Sequence, residues 1–479
     1  MQRKFINNLI FVLFINLLVK PFWILGIDLS VQNRVGAEEY GFYASLFSFS
    51  ILLNIILDFG ITNYNNRNIA QHSHMLGRYF SGILNVKLTL GILYFVITLI
   101  SGAILGYESR EIWLLFILGI NQFLASLVLY LRSNLSGLHL FKTDGLLSIM
   151  DRLIMIVVCG ILLWGGIVEG DFKIEWFVYA QLAAYLFTTF LAFILVLQKA
   201  KFYRLRFDFK IFRIILKESY PFALLVLLMS FYYRLDSVML ERMLTDGKRV
   251  AGVYAQSYRL LDGFNMLAYL FAALLLPIFS KMLKEKLSVS KLVNTSFNLI
   301  FIPATAIATI SWLYATEIMD LLYIAEVSES AQVYGVLMLS FVAIALTYIY
   351  GTLLTANGNL KQLNIISFSG LVINFSLNYL LIPTEGAYGA AIATLITQLF
   401  VVLAQIIASK KLLKMHSSFK FILKHIALLI IGIGVAKASQ FYFDNFIVHS
   451  ILIFVLFGII SILLRLVKKE EIFKLLKST

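Results

Sequence analysis

The sequence predicts an all-α integral membrane protein with about 14 transmembrane helices. Composition is the first reason: of 479 residues, 60% are hydrophobic and only 14% charged, and the mean hydropathy is +0.88. The second is a succession of apolar runs along the chain, and the third is a charge bias between alternate loops. A soluble core cannot hold this much apolar surface, so the composition excludes a soluble enzyme and a disordered chain. The single cysteine, Cys159, excludes an intramolecular disulfide.

Fourteen helices are placed where apolar runs are broken by polar residues or by Gly and Pro. The runs that hold Lys20 or the pair Asp151 and Arg152 are weak when each is taken singly. The first run continues past Lys20 and Pro21 without a small-residue cleavage site, so it is not predicted to be a signal peptide. The predicted spans are 5–29, 38–62, 79–101, 111–133, 145–168, 175–198, 219–240, 250–277, 292–314, 332–356, 362–382, 387–409, 420–440 and 446–467.

The loops between these helices differ strongly in charge. Most of the 40 basic residues fall on one side, whereas most of the acidic residues outside the helices fall on the other. The basic residues of the acidic side are Arg34, Arg110, Lys173, Arg242, Lys248 and Arg249. By the positive-inside rule the chain has an even number of helices and both termini in the cytoplasm. The net charge of +14 therefore reflects topology and does not indicate a nucleic-acid partner.

The longest basic stretch, residues 199–218, interleaves cations with aromatic residues. Beside a membrane this pattern indicates an amphipathic interfacial linker attracted to anionic membrane lipids, whereas RNA binding is the weaker alternative. No nucleophile, metal-ligand set or phosphate loop is recognisable in the sequence. We therefore expect no cofactor, no metal and no enzymatic activity.

An internal repeat divides the chain into two halves. Residues 28–34 (DLSVQNR) and 236–242 (DSVMLER) share the spacing from Asp to Arg, and residues 41–44 (GFYA) match 252–255 (GVYA). Few identities carry this repeat, so chance similarity is the alternative. Six helices separate the copies, which makes the halves parallel.

The repeat defines four parts of the chain. We predict an N-terminal lobe of helices 1–6 at 1–198, the basic linker at 199–218, and a second lobe of helices 7–12 at 219–409. Helices 13 and 14 with a basic tail, at 410–479, lie outside the repeat.

Two stretches of sequence resemble a known family. Residues 36–43 (GAEEYGFY) followed by 57–61 (LDFGI), and residues 374–383 (NFSLNYLLIP) followed by Gly386 and 389–394 (GAAIAT), are similar to bacterial polysaccharide exporters of the O-antigen flippase (Wzx-like) type. The small residues of the second stretch also have a plain explanation in close helix packing. The resemblance implies the multidrug/oligosaccharidyl-lipid/polysaccharide (MOP) transporter fold, with two six-helix lobes around a central cavity.

The same resemblance implies a function. Such proteins flip a polyprenyl-pyrophosphate-linked oligosaccharide, a repeat unit of O-antigen or of another surface polysaccharide, from the cytoplasmic to the outer leaflet by alternating access. The cargo and membrane lipids would be its partners, a polysaccharide polymerase would use its product, and a proton or sodium ion is a candidate for coupling.

Cations within the predicted helices are candidates for binding a diphosphate. Lys20 and Arg234 each lie about fifteen residues into repeat-related helices, at similar depths. We predict head-group contacts by Lys20, Arg234 and Arg259, with Lys87 and Arg152 as supporting charges. Internal ion pairing is the alternative reading, above all between Arg259 and an acid one helical turn away.

Two buried acids are candidates for ion coupling, since a carboxylate in a low-dielectric cavity can exchange protons or help to bind sodium. These are Asp58 and Asp262. For Asp58 a structural role at a helix end is equally compatible with the sequence.

Three other functions compete with polysaccharide export. A multidrug exporter and a peptidoglycan lipid-precursor flippase would share the fold, although a cavity for cationic drugs should carry an acidic excess. A membrane polymerase or ligase would need a sizeable outer loop with catalytic residues, and the outer loops here are short.

Overall fold

The computed structural model describes residues 15–16, 18–62, 65–66, 69, 76–138, 140–166, 172–200, 209–415, 419–443 and 445–466. These ranges are helical almost throughout and contain no β-strand. A π-helical segment, Trp23–Asp28, leads into the first α-helix. The α-helices are α1 Leu29–Leu52, α2 Leu76–Ile104, α3 Ser109–Gly137, α4 Phe141–Trp164, α5 Ile174–Leu197, α6 Phe209–Met243, α7 Gly247–Lys284, α8 Ser290–Leu313, α9 Ala315–Leu322, α10 Val327–Ala356, α11 Leu360–Leu412, α12 Phe419–Ser439 and α13 Phe446–Leu463. The all-α membrane fold class predicted from the sequence is confirmed.

Ten helices in the described ranges are long and apolar enough to cross a membrane. One of them, α11, has 53 residues, or about 80 Å at 1.5 Å per residue, against about 30 Å for the hydrocarbon core of a bilayer. It therefore contains two spans, the predicted helices 11 and 12. The chain reverses at Gly386, where φ is 55° and ψ is −132°. Close by, a Cβ on Gly389 would lie 2.6 Å from the Leu381 carbonyl oxygen.

The first two predicted helices are joined in the same way. Within α1 only Gly36 leaves the helical conformation, with φ 81° and ψ 171°, so one residue replaces the loop expected around residues 30–37. A side chain would be strained at such a φ, which favours glycine. Glycines of both family-like stretches therefore serve tight helical reversals.

The basic linker ends earlier than predicted. We expected a helix to begin near residue 219, but α6 begins at Phe209, so the second half of the 199–218 segment is helical. Residues 201–208, the N-terminal residues 1–14 and the basic tail from residue 467 lie outside the described residues.

The chain forms two compact units. Unit 1 comprises Met1–Arg242 with Asp246–Gly252, and unit 2 comprises Met243–Thr245 with Val253–Thr479. Unit 1 thus includes α6, which the repeat assigns to the second lobe. Compactness and internal repetition are different criteria, so the repeat-based division into lobes stays a prediction.

Unit 1 has an apolar core between α2, α3, α4 and α5. Phe80 and Tyr130 stack there with ring centroids 6.1 Å apart, and both side chains are fully buried. The Tyr130 hydroxyl donates to the Phe80 carbonyl oxygen at 2.9 Å, which satisfies the polar tip of a buried ring. This core holds the helices that carry the charged side chains described next.

Candidate functional site

Three cations of unit 1 lie near one another: Lys20 in the helical residues 18–22 before the π-helical segment, Arg132 on α3 and Arg152 on α4. We call them the basic cluster. Both arginines, together with Asp151, lie within electrostatic range of the Lys20 ammonium. The structure thus brings together two predicted site residues, Lys20 and Arg152, and adds Arg132. Asn16, four residues before Lys20, donates a hydrogen bond from its side-chain amide to the Ser148 hydroxyl of α4 at 3.2 Å.

The Arg152 guanidinium is held by aromatic neighbours. It lies over the Trp23 ring, with its Cζ 5.3 Å from the ring centroid, and within electrostatic range of the Tyr185 hydroxyl, and its Nη1 donates to Met155 Sδ at 3.5 Å. Trp23 itself belongs to the π-helical segment and stacks on Phe177 at 5.8 Å. π-helical turns re-aim side chains and occur often at functional sites. The nearest acid, Asp151, has an oxygen 3.8 Å from the Arg152 Nε, a loose ion pair.

The other two cations of the basic cluster differ in their pairing. Arg132 donates from Nε to Asp144 Oδ1 at 2.7 Å, and both side chains are about one-fifth exposed. Within the described ranges the Lys20 ammonium makes no hydrogen bond or ion pair, although its side chain is half-buried. With the two acids Asp144 and Asp151 beside them, the three cations leave a net charge of one positive unit. Lys20 is the cation of this cluster that has no hydrogen bond or ion pair within the described ranges.

The remaining predicted head-group residues lie elsewhere in the two units. Arg234 is half-buried on α6 in unit 1, whereas Arg259 and Asp262 are half-buried on α7 in unit 2. All three take part in polar or ring interactions, and Asp262 is within electrostatic range of the Tyr348 hydroxyl.

Lys87 and Asp58, predicted as a supporting cation and a coupling acid, are paired with each other. The Lys87 side chain is 1% exposed, and its ammonium lies 2.5 Å from Asp58 Oδ1. It also donates to the Leu57 carbonyl oxygen and to the Ser126 hydroxyl, each at 2.9 Å. A lysine ammonium has three donors, so this network uses all of them. In this conformation all three donors of Lys87 are used within the protein, and its supporting role stays a prediction.

The same network explains why the second predicted helix is irregular. After α1 the chain continues as a 3-10 turn, Asn54–Leu57, and then turns at Asp58. Asp58 Oδ1 accepts hydrogen bonds from the Thr62 hydroxyl and amide, which caps the next helical turn. This geometry favours the structural alternative for Asp58.

Helix α3 supplies polar partners along the irregular segment. The Asn54 amide donates to Gln122 Oε1 at 2.7 Å, and the Asn65 amide donates to the Ser133 hydroxyl at 2.8 Å. Buried polar groups need such partners, because each unsatisfied one costs about 1–3 kcal/mol. The polar stripe of α3 therefore stabilises a helix that the sequence alone predicts to be continuous.

A close helix crossing joins the two copies of the repeat. Gly41 on α1 and Gly252 on α7, matched by the repeat, pack against each other within unit 1. A Cβ on Gly41 would lie 1.8 Å from the Lys248 carbonyl oxygen, and one on Gly252 would lie 1.9 Å from the Ala37 carbonyl oxygen. Each glycine thus faces the carbonyl four residues before the other. We call this contact the glycine crossing.

Charged residues surround the glycine crossing. Glu111, 5% exposed, accepts from Lys248 at 3.0 Å and from Arg242 at 3.4 Å, and it also closes the capping box at the start of α3. The Arg242 guanidinium lies 3.7 Å from the centroid of the Tyr107 ring. Burial, followed by the nearby Glu241 carboxylate, raises the pKa of Tyr107 to about 12.

The sequence missed some of these features and held signals for others. Arg132 falls at the very end of the predicted span 111–133, where a cation belongs to the basic cytoplasmic side, whereas α3 continues to Gly137. No periodic signal marks Trp23 or Tyr185 as partners of a cation. The glycine crossing had a signal, the repeat itself, which aligned Gly41 with Gly252.

The comparisons with known proteins agree with this architecture. Among curated protein sequences none matches the chain. The structure is similar to that of the lipid II flippase MurJ in an inward closed conformation, at 18% identity, with a TM-score of 0.74 and coverage of 95% of this chain and 99% of that one.

Two further solved structures share the fold. An inward-facing multidrug transporter of the MATE family of the MOP superfamily gives 16% identity, a TM-score of 0.64 and coverage of 82% and 94%. A MOP superfamily transporter from Pyrococcus furiosus, described as having a binding pocket of reverse polarity, gives 15% identity, a TM-score of 0.56, and coverage of 85% of this chain and 93% of that one. These likenesses show a multi-pass membrane transporter fold. The family model described as "Polysaccharide biosynthesis protein" matches residues 5–283, and the chain therefore belongs to that family.

Proposed function

We propose that this protein flips a polyprenyl-pyrophosphate-linked oligosaccharide, the repeat unit of O-antigen or of another surface polysaccharide, from the cytoplasmic to the outer leaflet. The observation that carries the proposal is the basic cluster of Lys20, Arg132 and Arg152, placed among helices apolar enough to span a membrane. Charges at such a position are costly unless they face a cavity or a partner. An anionic head group supplies the partner that Lys20 lacks within the described residues.

The geometry of the cluster suits a pyrophosphate. Arginine presents a planar fork to phosphate oxygens, and lysine adds a mobile point charge. The contacts of Arg152 with Trp23 and Tyr185 fix the guanidinium before cargo arrives, which reduces the entropy lost on binding. Arg132 is already paired with Asp144, so it would contribute to the positive electrostatic potential of the site without contacting the phosphate directly.

The remaining predicted residues enter the proposal with changed roles. Arg234 and Arg259 stay as proposed head-group contacts, since both are half-buried on long helices of the fold. Asp262 is the better candidate for coupling to a proton or sodium ion, because the carboxylate of Asp58 is occupied by Lys87 and Thr62. Transport by alternating access, an inner-membrane location, cytoplasmic termini and delivery to a polysaccharide polymerase complete the proposal.

A peptidoglycan-precursor flippase is the second candidate, favoured by the TM-score of 0.74 to the lipid II flippase. A multidrug exporter is less compatible, because the basic cluster carries more cations than acids. Flipping rates of the two lipid-linked cargoes, measured side by side in the same vesicles, separate the two candidates. Faster flipping of the peptidoglycan precursor would support the second.

The basic cluster is tested with purified protein in proteoliposomes that hold a fluorescent polyprenyl-pyrophosphate oligosaccharide. We expect Lys20→Gln and Arg152→Gln each to lower the initial flipping rate. A hydrogen bond to a charged group contributes about 1.5–3 kcal/mol, which corresponds to roughly a 10- to 150-fold change. The protein amount in each vesicle preparation is measured so that rates refer to equal copies.

Lys173→Gln is the matched control. Lys173 is exposed at the start of α5 and its replacement changes the net charge by the same amount. We expect this variant to flip at the original rate. If Lys20→Gln and Arg152→Gln also flip at that rate, the basic cluster does not bind the cargo.

A further inference from the structure

Unit 2 contains a cavity of about 310 Å³ between α8, α10, α11 and α12. Apolar side chains form most of its wall, and the polar lining residues are few: Asn294 from α8, Lys410 from α11 and His425 from α12. None of these three belongs to the basic cluster or to the predicted transport residues. The cavity is therefore a separate feature of the protein.

The cavity is polar at one end and apolar at the other. Lys410 lies near the end of α11, and the lining residue Leu403 lies seven residues deeper, about 10 Å along the helix. On α12, Phe421 lies near the start and the lining residue Leu429 eight residues deeper, about 12 Å. Half of a bilayer core is about 15 Å thick, so the cavity extends over most of one leaflet.

The polar end of the cavity lies among cations. Lys411 and Lys414 follow Lys410 on the chain and are exposed, and Lys420 is exposed at the start of α12. The charge bias of the loops predicts that this end faces the cytoplasm. Basic pockets between membrane helices at that surface attract anionic lipid head groups, at about 1 kcal/mol for each lysine near the surface.

The wall around His425 is fixed by hydrogen bonds and aromatic rings. Its Nε2 pairs with Asn298 Oδ1 at 2.8 Å and its Nδ1 with the Phe421 carbonyl at 2.7 Å. The rings of Phe297 and Phe301 meet the imidazole edge to face at 4.9 and 5.2 Å. Since both ring nitrogens are engaged within the protein, His425 shapes the wall and the lysine is the charged contact for a ligand.

We propose that the cavity holds one acyl chain of an anionic glycerophospholipid, with the head-group phosphate on Lys410. The cavity matches this occupant in polarity, length and charge. It is apolar, extends over most of one leaflet and opens beside the Lys410 ammonium. The lipid would fill the space between α12 and the helices α8 and α11, and so hold α12 to the other helices of unit 2. The proposal is independent of the transported cargo.

Native mass spectrometry of the whole chain, released from detergent with added lipid, tests the proposal. Phosphatidylglycerol and phosphatidylcholine with identical acyl chains are the probes. We expect phosphatidylglycerol to be retained more strongly, and Lys410→Gln to weaken its retention about fivefold. Lys411→Gln removes the same charge from an exposed neighbour that does not line the cavity, and it should change retention little.

A second pair of variants tests the apolar end. Leu429→Trp places a larger ring in the cavity, and we expect it to reduce retention of both lipids. Leu423→Trp is its control, because Leu423 is 54% exposed on the same helix and does not line the cavity. Leu429→Ala enlarges the cavity and should retain lipid, which separates a blocked site from a misfolded protein.

Four outcomes would overturn the proposal. Equal retention of the two phospholipids would remove the role of Lys410, as would equal effects of Lys410→Gln and Lys411→Gln. Unchanged retention in Leu429→Trp would place the bound lipid elsewhere on the protein. Stronger retention of a polyprenyl phosphate than of phosphatidylglycerol would assign the cavity to the transported lipid instead.

Discussion

The glycine crossing gives the sharpest prediction about stability. A Cβ on Gly41 would lie 1.8 Å from the Lys248 carbonyl oxygen, whereas ordinary contact begins near 3.4 Å. In Gly41→Ala the two helices must therefore separate by roughly 1.6 Å, because a backbone oxygen cannot rotate away as a side chain can. Overpacking of this kind costs about 1–3 kcal/mol.

A matched control removes the effect of helix propensity. Alanine is favoured over glycine within a helix by about 0.5–1 kcal/mol, which would partly hide the steric cost in Gly41→Ala. Gly82 also lies within a helix, α2, but nothing lies within 4 Å of a Cβ placed there. The difference in free energy of unfolding between Gly82→Ala and Gly41→Ala should therefore equal the steric cost alone.

The assay is a denaturant titration of the purified protein in detergent, with helicity followed by circular dichroism. We expect Gly252→Ala to resemble Gly41→Ala, since its Cβ would meet the Ala37 carbonyl oxygen at 1.9 Å. The double variant should cost less than the sum, because one separation of the helices relieves both clashes. If Gly41→Ala proves as stable as Gly82→Ala, the reasoning from the close crossing is refuted.

Two further predictions concern ion pairs of different burial. Lys87→Met should destabilise the protein by up to about 3 kcal/mol, because it leaves the Asp58 carboxylate without its cation, and adding Asp58→Asn should recover part of that loss. Additive single and double effects in the same titration would contradict the pairing. Arg110 contacts both Glu39 and Glu175, yet its side chain is 52% exposed, so Arg110→Gln should cost less than about 1 kcal/mol, and the cost should vanish in 1 M salt. A salt-independent loss of more than about 2 kcal/mol in the free energy of unfolding would show that the ion pairs of Arg110 are shielded from solvent.

Much of the fold could be predicted because bilayer physics restricts the alternatives. A chain with so much apolar surface must form helices that satisfy their own backbone hydrogen bonds, and helix number and order follow from hydropathy. The breaks at residues 30–37 and 383–386 were predicted, but their form was not: a single residue with unusual φ, Gly36 or Gly386, stands where a loop was expected. The early start of α6 at Phe209 was missed for a related reason: cations interrupt apolarity without interrupting a helix.

The candidate site could be predicted only in part. Sequence position indicated which cations fall within the predicted helices, Lys20 and Arg152 among them. It could not reveal that Lys87 meets Asp58 across about thirty residues of chain, since such pairing depends on how helices pack. Contacts between distant residues are set by tertiary structure, and a single sequence carries no direct record of them.

Burial of a cation is a weak criterion for substrate binding, and the number of its donors already used is a stronger one. Lys87 is more deeply buried than Lys20, yet all three of its donors are satisfied within the protein. A substrate phosphate at Lys87 would have to displace a carboxylate, a carbonyl and a hydroxyl, and would leave the Asp58 carboxylate without its cation. At Lys20 no such bonds have to be broken among the described residues. The free-energy cost of binding there comes from desolvation and from ordering of the lysine side chain. The difference between these two lysines is what places the proposed pyrophosphate site at the basic cluster instead of at the most buried charge.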